Sequence, residues 1–212
     1  MLDITTHVNA LAARVHDLRP AHSRILVAIA GAPGSGKSTL AIELARRMNA
    51  QKIAAEVVPM DGFHLDNAIL DQRGLRSRKG APETFDAQGF VHLIRRLSDP
   101  VEVFVPVFDR SRDLAIAGAT VVSASCQVVI VEGNYLLFDE QPWSDLAPLW
   151  TLSAQLAVPM PELRARLIQR WLSQGLSRAA ATRRAESNDI PNAQRVIDHA
   201  LPANLILQTH RN

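Results

Sequence analysis

Short apolar runs alternate with segments of helical periodicity along the first part of the chain. Apolar residues recur every three or four positions over residues 4–18, which predicts an amphipathic helix that ends before Pro20. The unbroken apolar run that follows predicts a buried strand over about residues 24–30. A helix to about Asn49 and a second strand over residues 53–58 are predicted next.

The same alternation returns after a long polar stretch. Residues 62–85 are rich in Gly, Arg and Asp and show no clear period, so they predict a long loop of the kind that is usually functional or mobile. Alternating residues over 101–122, broken at Pro106 and Gly118, predict a small β ribbon with a loop at residues 108–113. Further strands are predicted over residues 127–131, 151–158 and 205–208. Further helices are predicted from a cap at Asp86 to near Leu97, from Pro161 onwards, over residues 178–187 and over residues 191–199.

Strands that alternate with helices predict an α/β fold, in which a mostly parallel sheet has helices on both faces and the ribbon is a small insertion. A chain of 212 residues with 47% apolar content suits one domain over residues 1–212 and excludes a disordered protein. Sites in such sheets lie beyond the carboxyl ends of the strands. Residues 31–38, Asp61 and Glu132 are therefore predicted to meet in one crevice.

The overall charge and the cysteine content narrow the function classes. A net charge of +2 supplies no argument for nucleic-acid binding, so none is predicted. Cys126 is the only cysteine, which excludes an intramolecular disulfide and fits a reducing compartment. Without a basic and apolar leader or an apolar run near 18 residues, the chain is expected to be cytoplasmic and not inserted in a membrane. No zinc-binding spacing occurs, and the sequence leaves the oligomeric state open, with a homodimer as one possibility.

Residues 31–38 read Gly-Ala-Pro-Gly-Ser-Gly-Lys-Ser and lie between the first predicted strand and a helix that begins at Lys37 or Ser38. In this Walker A pattern the glycine backbone approaches a phosphate closely, while loop amides and the helix N-terminus supply positive charge. Lys37 is expected to reach the β- and γ-phosphates, and the Ser38 hydroxyl is expected to bind Mg²⁺. The alternative is a glycine-rich turn that binds nothing. The pattern favours the three-layer P-loop NTPase fold, with ATP bound by Gly31, Ala32, Pro33, Gly34, Ser35, Gly36, Lys37, Ser38 and Thr39.

Two acidic residues end predicted strands near this loop. Glu132 follows the apolar residues 128–131, as in a Walker B strand whose acid binds Mg²⁺ directly or through water. The alternative for Glu132 is a solvated carboxylate at a strand end. Asp61 ends the second strand, where a carboxylate can accept the proton of an attacking hydroxyl. Its alternative role is to form a turn before Gly62.

Several short motifs occur in the order found in one group of enzymes. Residues 60–64 read Met-Asp-Gly-Phe-His, and residues 79–86 read Lys-Gly-Ala-Pro-Glu-Thr-Phe-Asp. They are followed by Pro-Val-Phe-Asp at 106–109, Val-Glu-Gly at 131–133 and Asn-Asp-Ile-Pro-Asn at 188–192. Over about residues 24–208 the chain resembles the phosphoribulokinase, uridine kinase and bacterial pantothenate kinase group of P-loop kinases, and within it the small fructose transport system kinases.

The resemblance implies that Asp61 is the catalytic base and that Glu132 is the Walker B acid. It also implies that the acceptor pocket is lined by Lys79 and Asp109, with Phe63, His64 and Phe108 as candidate walls. Uridine kinases carry a Tyr where this chain has Phe108, and the missing hydroxyl weakens the expectation of a nucleoside acceptor. The alternatives are an exposed loop position for His64 and plain ribbon packing for Phe108.

The helix that begins at Pro161 is basic, and Arg166 and Arg170 share one face of it because they are four residues apart. We predict that these guanidinium groups, on a lid over about residues 160–190, close over the ATP phosphates and stabilise charge during transfer. The alternative is a solvated, arginine-rich helix face. Later residues are secondary candidates for further lid arginines, a helix cap or adenine contacts: Arg183, Arg184, Asn188 and Asp189.

Together these features predict an ATP- and Mg²⁺-dependent kinase that phosphorylates a hydroxyl of a small molecule. Its catalytic residues are predicted to be Asp61, Lys37, Arg166 and Arg170. Sugars or sugar-like molecules are the favoured phosphoryl acceptors, with pantothenate and nucleosides as alternatives. A nucleotide-dependent switch is a different class, but the Asp-x-x-Gly match at residues 71–74 lies in a polar stretch and no Asn-Lys-x-Asp motif occurs. A nucleotide-binding scaffold without transfer activity is the third hypothesis, and the intact loop and acids argue against it.

Overall fold

The computed structural model describes residues 4–19 and 24–208. Its helices are α1 (Thr5–Leu18), α2 (Lys37–Ala50), α3 (Asn67–Gln72), α4 (Ala87–Leu97), α5 (Met160–Ser173), α6 (Arg178–Arg184) and α7 (Ile190–Asp198). Its strands are β1 (Ile25–Gly31), β2 (Ala55–Pro59), β3 (Val103–Asp109), β4 (Leu114–Val122), β5 (Val128–Gly133), β6 (Leu152–Ala157) and β7 (Leu205–Gln208). Pro20, which is expected to end α1, lies outside the described residues.

Five strands form a parallel sheet in the order β2-β5-β1-β6-β7, and helices flank it. β1 and β5 are buried along their whole length, which explains why their sequences are unbroken apolar runs. The register places Ala30 opposite Gly133 and Pro59 opposite Glu132. The carboxyl ends of β1, β2 and β5 therefore meet at one edge, and the predicted α/β fold with a mostly parallel sheet is confirmed.

The apolar periodicity of the helices corresponds to burial. Val8, Leu11 and Val15 of α1 are fully buried, and they belong to the same hydrophobic cluster as the central strands. The strongly amphipathic α4 buries Phe90 and Ile94 in that cluster. Within the described ranges no helix combines the length and the apolar character that a membrane span requires.

The predicted ribbon is present as the antiparallel pair β3–β4. Its register shifts between Val105 and Val107 because Pro106 has no N–H to donate to the ladder. The ribbon packs on a 3₁₀ turn over Met60–Phe63. A Cβ on Gly62 would lie 2.5 Å from the Pro106 carbonyl oxygen, so glycine is required for this approach. The contact positions the turn of the ribbon next to Asp61.

An arginine is buried at the amino end of β1, opposite the predicted site. Arg24 is only 4% exposed, and its guanidinium donates to backbone carbonyl oxygens of two loops. The acceptors are the carbonyl oxygens of Cys126, Leu97, Asp99, Val101, Ser123 and Ala124. No carboxylate in the described part of the chain pairs with Arg24, so this one cation ties together the loops that precede β3 and β5.

The segment over residues 62–85 is more ordered than its sequence pattern predicts. It contains α3, whose first turn is capped by the Asp66 side chain as acceptor from the Ala68 N–H. Two 3₁₀ turns follow, at Arg76–Arg78 and Pro82–Thr84. The predicted long loop therefore contains short helical turns. The Asp66 cap and hydrogen bonds of the Thr84 side chain to Gly80 and Ala81 are local contacts that leave no long periodic pattern.

The two helices predicted over residues 178–187 and 191–199 form one continuous helical stretch. A π turn over Ala185–Asp189 joins α6 to α7, and its wider hydrogen-bond spacing accommodates Pro191, which has no N–H. Asp189 has helical dihedral angles, and its carboxylate accepts from Trp171 Nε1 instead of capping a helix. The helix-cap alternative for Asn188 and Asp189 is therefore wrong.

Candidate active site

A cleft of about 730 Å³ lies beyond the carboxyl ends of β1, β2 and β5. One side, the phosphate half, comes from residues 33–39, apart from Ser35, and from the arginine-rich α5–α6 region. Gly31, Ala32 and Ser35, which are also predicted to bind ATP, are not among the lining residues. The other side, the acceptor half, comes from the segments around Asp61, around Lys79 and at the ribbon turn. The acceptor half is lined by Asp61, His64, Arg76, Lys79, Phe108, Arg110, Asp113 and Asn134.

The loop over residues 31–38 is shaped to bind an anion. Gly34 and Gly36 have φ values of +80° and +97°, which side chains other than glycine rarely allow. Gly36 precedes α2 and supplies no side-chain cap, so the first amides of α2 are free to bind a ligand. The Ser35 hydroxyl is buried without a partner in the described residues. The loop thus fits the phosphates of a nucleotide.

The two residues predicted to bind Mg²⁺ contact each other. The Ser38 hydroxyl donates to Glu132 Oε1 at 3.0 Å, and Glu132 is only 5% exposed. Burial raises the pKa of the Glu132 carboxyl, while the charge of Lys37 opposes this shift. A hydroxyl and a carboxylate in contact form the hard-oxygen donor set that Mg²⁺ prefers, so these residues fit the predicted ion.

Asp61 lies on the 3₁₀ turn that follows β2 and faces the cleft. Its Oδ2 accepts a hydrogen bond from Arg110 Nη2 at 2.7 Å, and the side chain is 28% exposed. Arg110 comes from the ribbon turn, 49 positions along the chain. The pair orients the carboxylate at the boundary between the two halves of the cleft.

His64 lines the cleft and directly follows the 3₁₀ turn that carries Asp61. Its Nδ1 lies 2.8 Å from the Asp61 carbonyl oxygen, which can only accept, so Nδ1 carries the proton. The ring packs on Phe85 and Phe108, with centroid distances of 4.0 and 4.7 Å. Burial lowers the pKa of the imidazole, which keeps His64 neutral. The alternative of an exposed loop histidine is therefore wrong. Phe108 belongs to β3 and lines the cleft, and its ring contacts His64.

Lys79 connects two segments of the acceptor half, α3 and the ribbon turn, through hydrogen bonds. Its Nζ donates to Asn67 Oδ1 at 2.7 Å, to the Asp113 carbonyl oxygen at 2.9 Å and to Asp113 Oδ1 at 2.8 Å. These contacts use all three N–H groups of the ammonium, which also lies 5.0 Å from the centre of the Phe108 ring. Lys79 lines the cleft as predicted, and in this structure its donors connect α3 to the ribbon turn. Its binding of the acceptor stays a prediction.

This bracing role predicts a stability effect for Lys79→Met. The substitution removes three hydrogen bonds from a side chain that is 10% exposed, and we expect the free energy of unfolding to fall by about 2 kcal/mol. Urea denaturation measures the loss, with Arg96→Met on the exposed face of α4 as a control that changes stability by less than about 0.5 kcal/mol. Unchanged stability with a raised KM for an acceptor would instead assign Lys79 to substrate binding.

Phe63 and Asp109 are not among the residues that line the cleft. The Phe63 ring packs edge to face on Phe90 at 5.1 Å, towards the core. The Asp109 carboxylate accepts from the Ser111 hydroxyl, the Ser111 N–H and the Arg112 N–H, and these bonds, the hydroxyl first, lower its pKa. Both are corrections to the predicted acceptor site, since one residue is a core contact and the other closes the ribbon turn.

The predicted lid arginines, Arg166 and Arg170, make hydrogen bonds or ion pairs with other residues of the protein. Arg166 Nη1 donates to the carbonyl oxygens of Gly34 and Ser35, so α5 is attached to the back of the phosphate loop. Arg170 pairs with Asp189 at 3.3 Å and lies, like Arg184, about 5 Å from the Trp171 ring. Both arginines line the cleft, but only Arg170 has a polar atom, Nε, that is buried without a partner among the described residues.

The lid region contacts the acceptor segment directly. Arg184 Nη1 donates to the Ser77 carbonyl oxygen at 3.0 Å, and Asn188 Nδ2 donates to the Lys79 carbonyl oxygen at 2.9 Å. Arg195 pairs with Glu83 at 3.2 Å. The helical stretch from α6 to α7 therefore covers the segment that follows Asp61 and narrows the cleft.

Sequence reasoning missed Arg110, Asp113, Asn67, Asn134 and Trp171. Their only sequence signal is that most of them lie in polar stretches, and Asn134 follows the Walker B strand end. Arg110, Asn67 and Asp113 acquire their roles through partners that are distant in the chain, such as Asp61 for Arg110.

Comparisons with known proteins agree with this geometry. The model of the Phosphoribulokinase / Uridine kinase family matches residues 26–201. YggC of Escherichia coli K12, which is uncharacterized, is 37% identical over 187 residues, covering 87% of this chain and 78% of YggC. A Schizosaccharomyces pombe protein provisionally named uridine kinase C227.14 is 35% identical over 210 residues, covering 93% of this chain and 88% of its own.

A solved structure extends the likeness to three dimensions. The crystal structure of a protein from Silicibacter sp. TM1040, provisionally named a fructose transport system kinase, matches with a TM-score of 0.89 and 53% identity. The match covers 94% of this chain and 98% of that one. The resemblance seen in the motifs is confirmed over most of the chain. The chain belongs to the phosphoribulokinase/uridine kinase family and is a P-loop kinase of that family.

Proposed function

We propose that this kinase transfers the γ-phosphoryl group of ATP to a hydroxyl of a small sugar or sugar-like molecule. One observation carries the proposal: the Asp61 carboxylate lines the same cleft as Lys37 and Ser38 of the phosphate loop. A proton acceptor therefore faces the place where the loop presents a phosphate. The provisional name of the Silicibacter relative supports a sugar as acceptor.

In the proposed reaction Asp61 accepts the proton of the acceptor hydroxyl. The hydroxyl oxygen forms a bond to the γ-phosphorus while the bond from that phosphorus to the β–γ bridging oxygen breaks, and ADP leaves. The contact with Arg110 orients the Asp61 carboxylate before the acceptor arrives.

The phosphate half supplies the positive charge that transfer requires. Lys37 and the amides at the start of α2 neutralise the phosphates, and Arg170 is proposed to turn its unpaired Nε towards them. Arg166 positions the loop through its carbonyl contacts. Ser38 and Glu132 would hold Mg²⁺, which when bound neutralises phosphate charge. The lid contacts to Ser77 and Lys79 hold the α6–α7 region beside the acceptor segment, from which we propose it closes over bound ATP to exclude water.

The test is a panel of acceptors assayed for ADP release with ATP and Mg²⁺, with ³¹P NMR to identify the phosphate monoester. We expect turnover with at least one sugar or polyol and slower turnover with nucleosides and pantothenate. Selective GTP binding with slow hydrolysis and no phosphorylated acceptor would favour a nucleotide switch. ADP release with none of the acceptors would favour a scaffold without transfer activity.

Two further features belong to this proposal. The buried thiol of Cys126, whose pKa is raised by burial, suits a reducing compartment, so we propose a cytoplasmic location. The partner of the cleft is a small molecule, and a homodimer stays a prediction that sedimentation analysis would test.

A further inference from the structure

His64 presents a hydrogen-bond acceptor to the cleft. Because the Asp61 carbonyl oxygen fixes the proton on Nδ1, the neutral ring has its lone pair on Nε2. Nε2 makes no hydrogen bond to any residue in the described ranges, and His64 lines the cleft. The flanking rings of Phe85 and Phe108 restrict rotation of the imidazole. A bound molecule that reaches His64 must therefore donate a hydrogen bond to it.

Asn134 supplies a second unsatisfied acceptor to the cleft. Its Oδ1 is buried and has no partner in the part of the chain that the structure describes. The backbone places Asn134 near Asp61, because a Cβ on the preceding Gly133 would lie 2.6 Å from the Cβ of Met60, which precedes Asp61. Buried polar atoms are rarely left unpaired, so this oxygen also calls for a donor from a ligand.

The cations of the acceptor half already have acidic partners. Arg110 pairs with Asp61 at 2.7 Å, and Lys79 pairs with Asp113 at 2.8 Å. Arg76 lies 3.3 Å from Asp71 and 3.9 Å from Asp113. In the phosphate half, by contrast, Lys37 has no ion-pair partner among the described residues. The positive charge left for an anionic ligand is therefore on the ATP side.

We propose that His64 and Asn134 are specificity-determining residues that accept hydrogen bonds from hydroxyl groups next to the one that Asp61 deprotonates. The preferred acceptor is then a neutral polyol or sugar, and a carboxylate or phosphate ester at this position is rejected because its oxygens would face lone pairs. This inference rests on the proposed kinase function and adds the chemical class of the acceptor.

Matched pairs of a neutral and an anionic molecule test the proposed chemical class of the acceptor. The kcat/KM for ADP release is measured with fructose against fructose 6-phosphate and with glycerol against glycerate, at saturating ATP and Mg²⁺. We expect the neutral member to be preferred by about tenfold or more in each pair that is turned over, since the anion leaves the site's acceptors unpaired. Preference for the anionic member would overturn the proposal.

Two substitutions test the residues. His64→Phe keeps an aromatic ring against Phe85 and Phe108 but removes the lone pair, and Asn134→Ala removes the amide. Each is expected to raise KM for the neutral acceptor about five- to tenfold with little change in kcat or in KM for ATP. The exposed His92→Phe on α4 is the matched control and leaves all constants unchanged. An unchanged acceptor KM in His64→Phe would refute the role of His64.

A readout that needs no turnover separates this inference from the proposed function. In ¹⁵N-histidine NMR the His64 signals are assigned by their absence in His64→Phe, and Nε2 is expected to be unprotonated at pH 7.5. Fructose at high concentration is expected to shift the Nε2 resonance, and fructose 6-phosphate is not. A protonated Nε2, or no response to fructose, overturns the inference. Failure of the kinase function alone would appear as absent ADP release with this NMR response intact.

Discussion

Replacing Asp61 with Asn lowers kcat by about 10²- to 10⁴-fold, the range expected when a general base is removed. Asn has the size and hydrogen-bonding reach of Asp but cannot take up the acceptor proton. It also loses the charge that pairs with Arg110 at 2.7 Å, so the ribbon turn is held less firmly over the cleft. The measurement is steady-state ADP release with the acceptor found in the panel, at saturating ATP.

The control for this prediction is ATP binding. Asp61 does not belong to the loop over residues 31–38 that is proposed to bind ATP. Calorimetry of Asp61→Asn is therefore expected to give a Kd for ATP within about threefold of the wild-type value, where a tenfold change would correspond to about 1.4 kcal/mol. Asp109→Asn is a matched variant, since that carboxylate only closes the ribbon turn, and it is expected to keep most of the activity. An unchanged kcat in Asp61→Asn would remove Asp61 as the base.

Replacing Arg24 with Met destabilises the fold by about 3 kcal/mol or more. Met fills a similar volume, but the carbonyl oxygens of the two loops lose the charge-assisted donor that the buried Arg24 supplies. Since those loops enter β3 and β5, the sheet itself loses support. The free energy of unfolding from urea titration measures the effect.

The matched control is Arg14→Met on α1. Arg14 is exposed and its pairing with Asp17 at 3.8 Å is a surface ion pair, so a change below about 0.5 kcal/mol is expected. The kcat of folded Arg24→Met is expected to match the wild type, because Arg24 lies at the end of β1 opposite the cleft. A loss of stability no larger than that of Arg14→Met would contradict the bracing role.

The phosphate half of the site could be predicted because its signals are local. The apolar run of β1, the glycines of residues 31–38 and the start of α2 at Lys37 are consecutive in the chain. Glu132 is 94 positions from Ser38, yet parallel pairing brings the ends of β1 and β5 together in any fold of this class. Their contact therefore follows from the order of the elements.

The acceptor half could be predicted only as a set of residues. The sequence indicated Asp61, His64 and Lys79 as candidates. It did not indicate that Arg110 donates a hydrogen bond to Asp61. Nor did it indicate that the three N–H groups of Lys79 donate to Asn67 and Asp113. These pairs depend on how the ribbon packs against the turn after β2. That packing is decided by the contact of Gly62 with Pro106, which no local periodicity encodes.

By itself, then, the sequence determined the parallel α/β fold, the phosphate loop and the acids at the strand ends, since each follows from backbone preferences and apolar periodicity within a few residues. The tertiary structure alone decided which polar groups of the acceptor half are already paired and which face the cleft unpaired. The physical reason is that hydrogen bonds and ion pairs depend on distances of a few ångströms between side chains that lie 34 or 49 positions apart in the chain. His64 and Asn134 stand out as ligand-binding candidates only after those pairs are known.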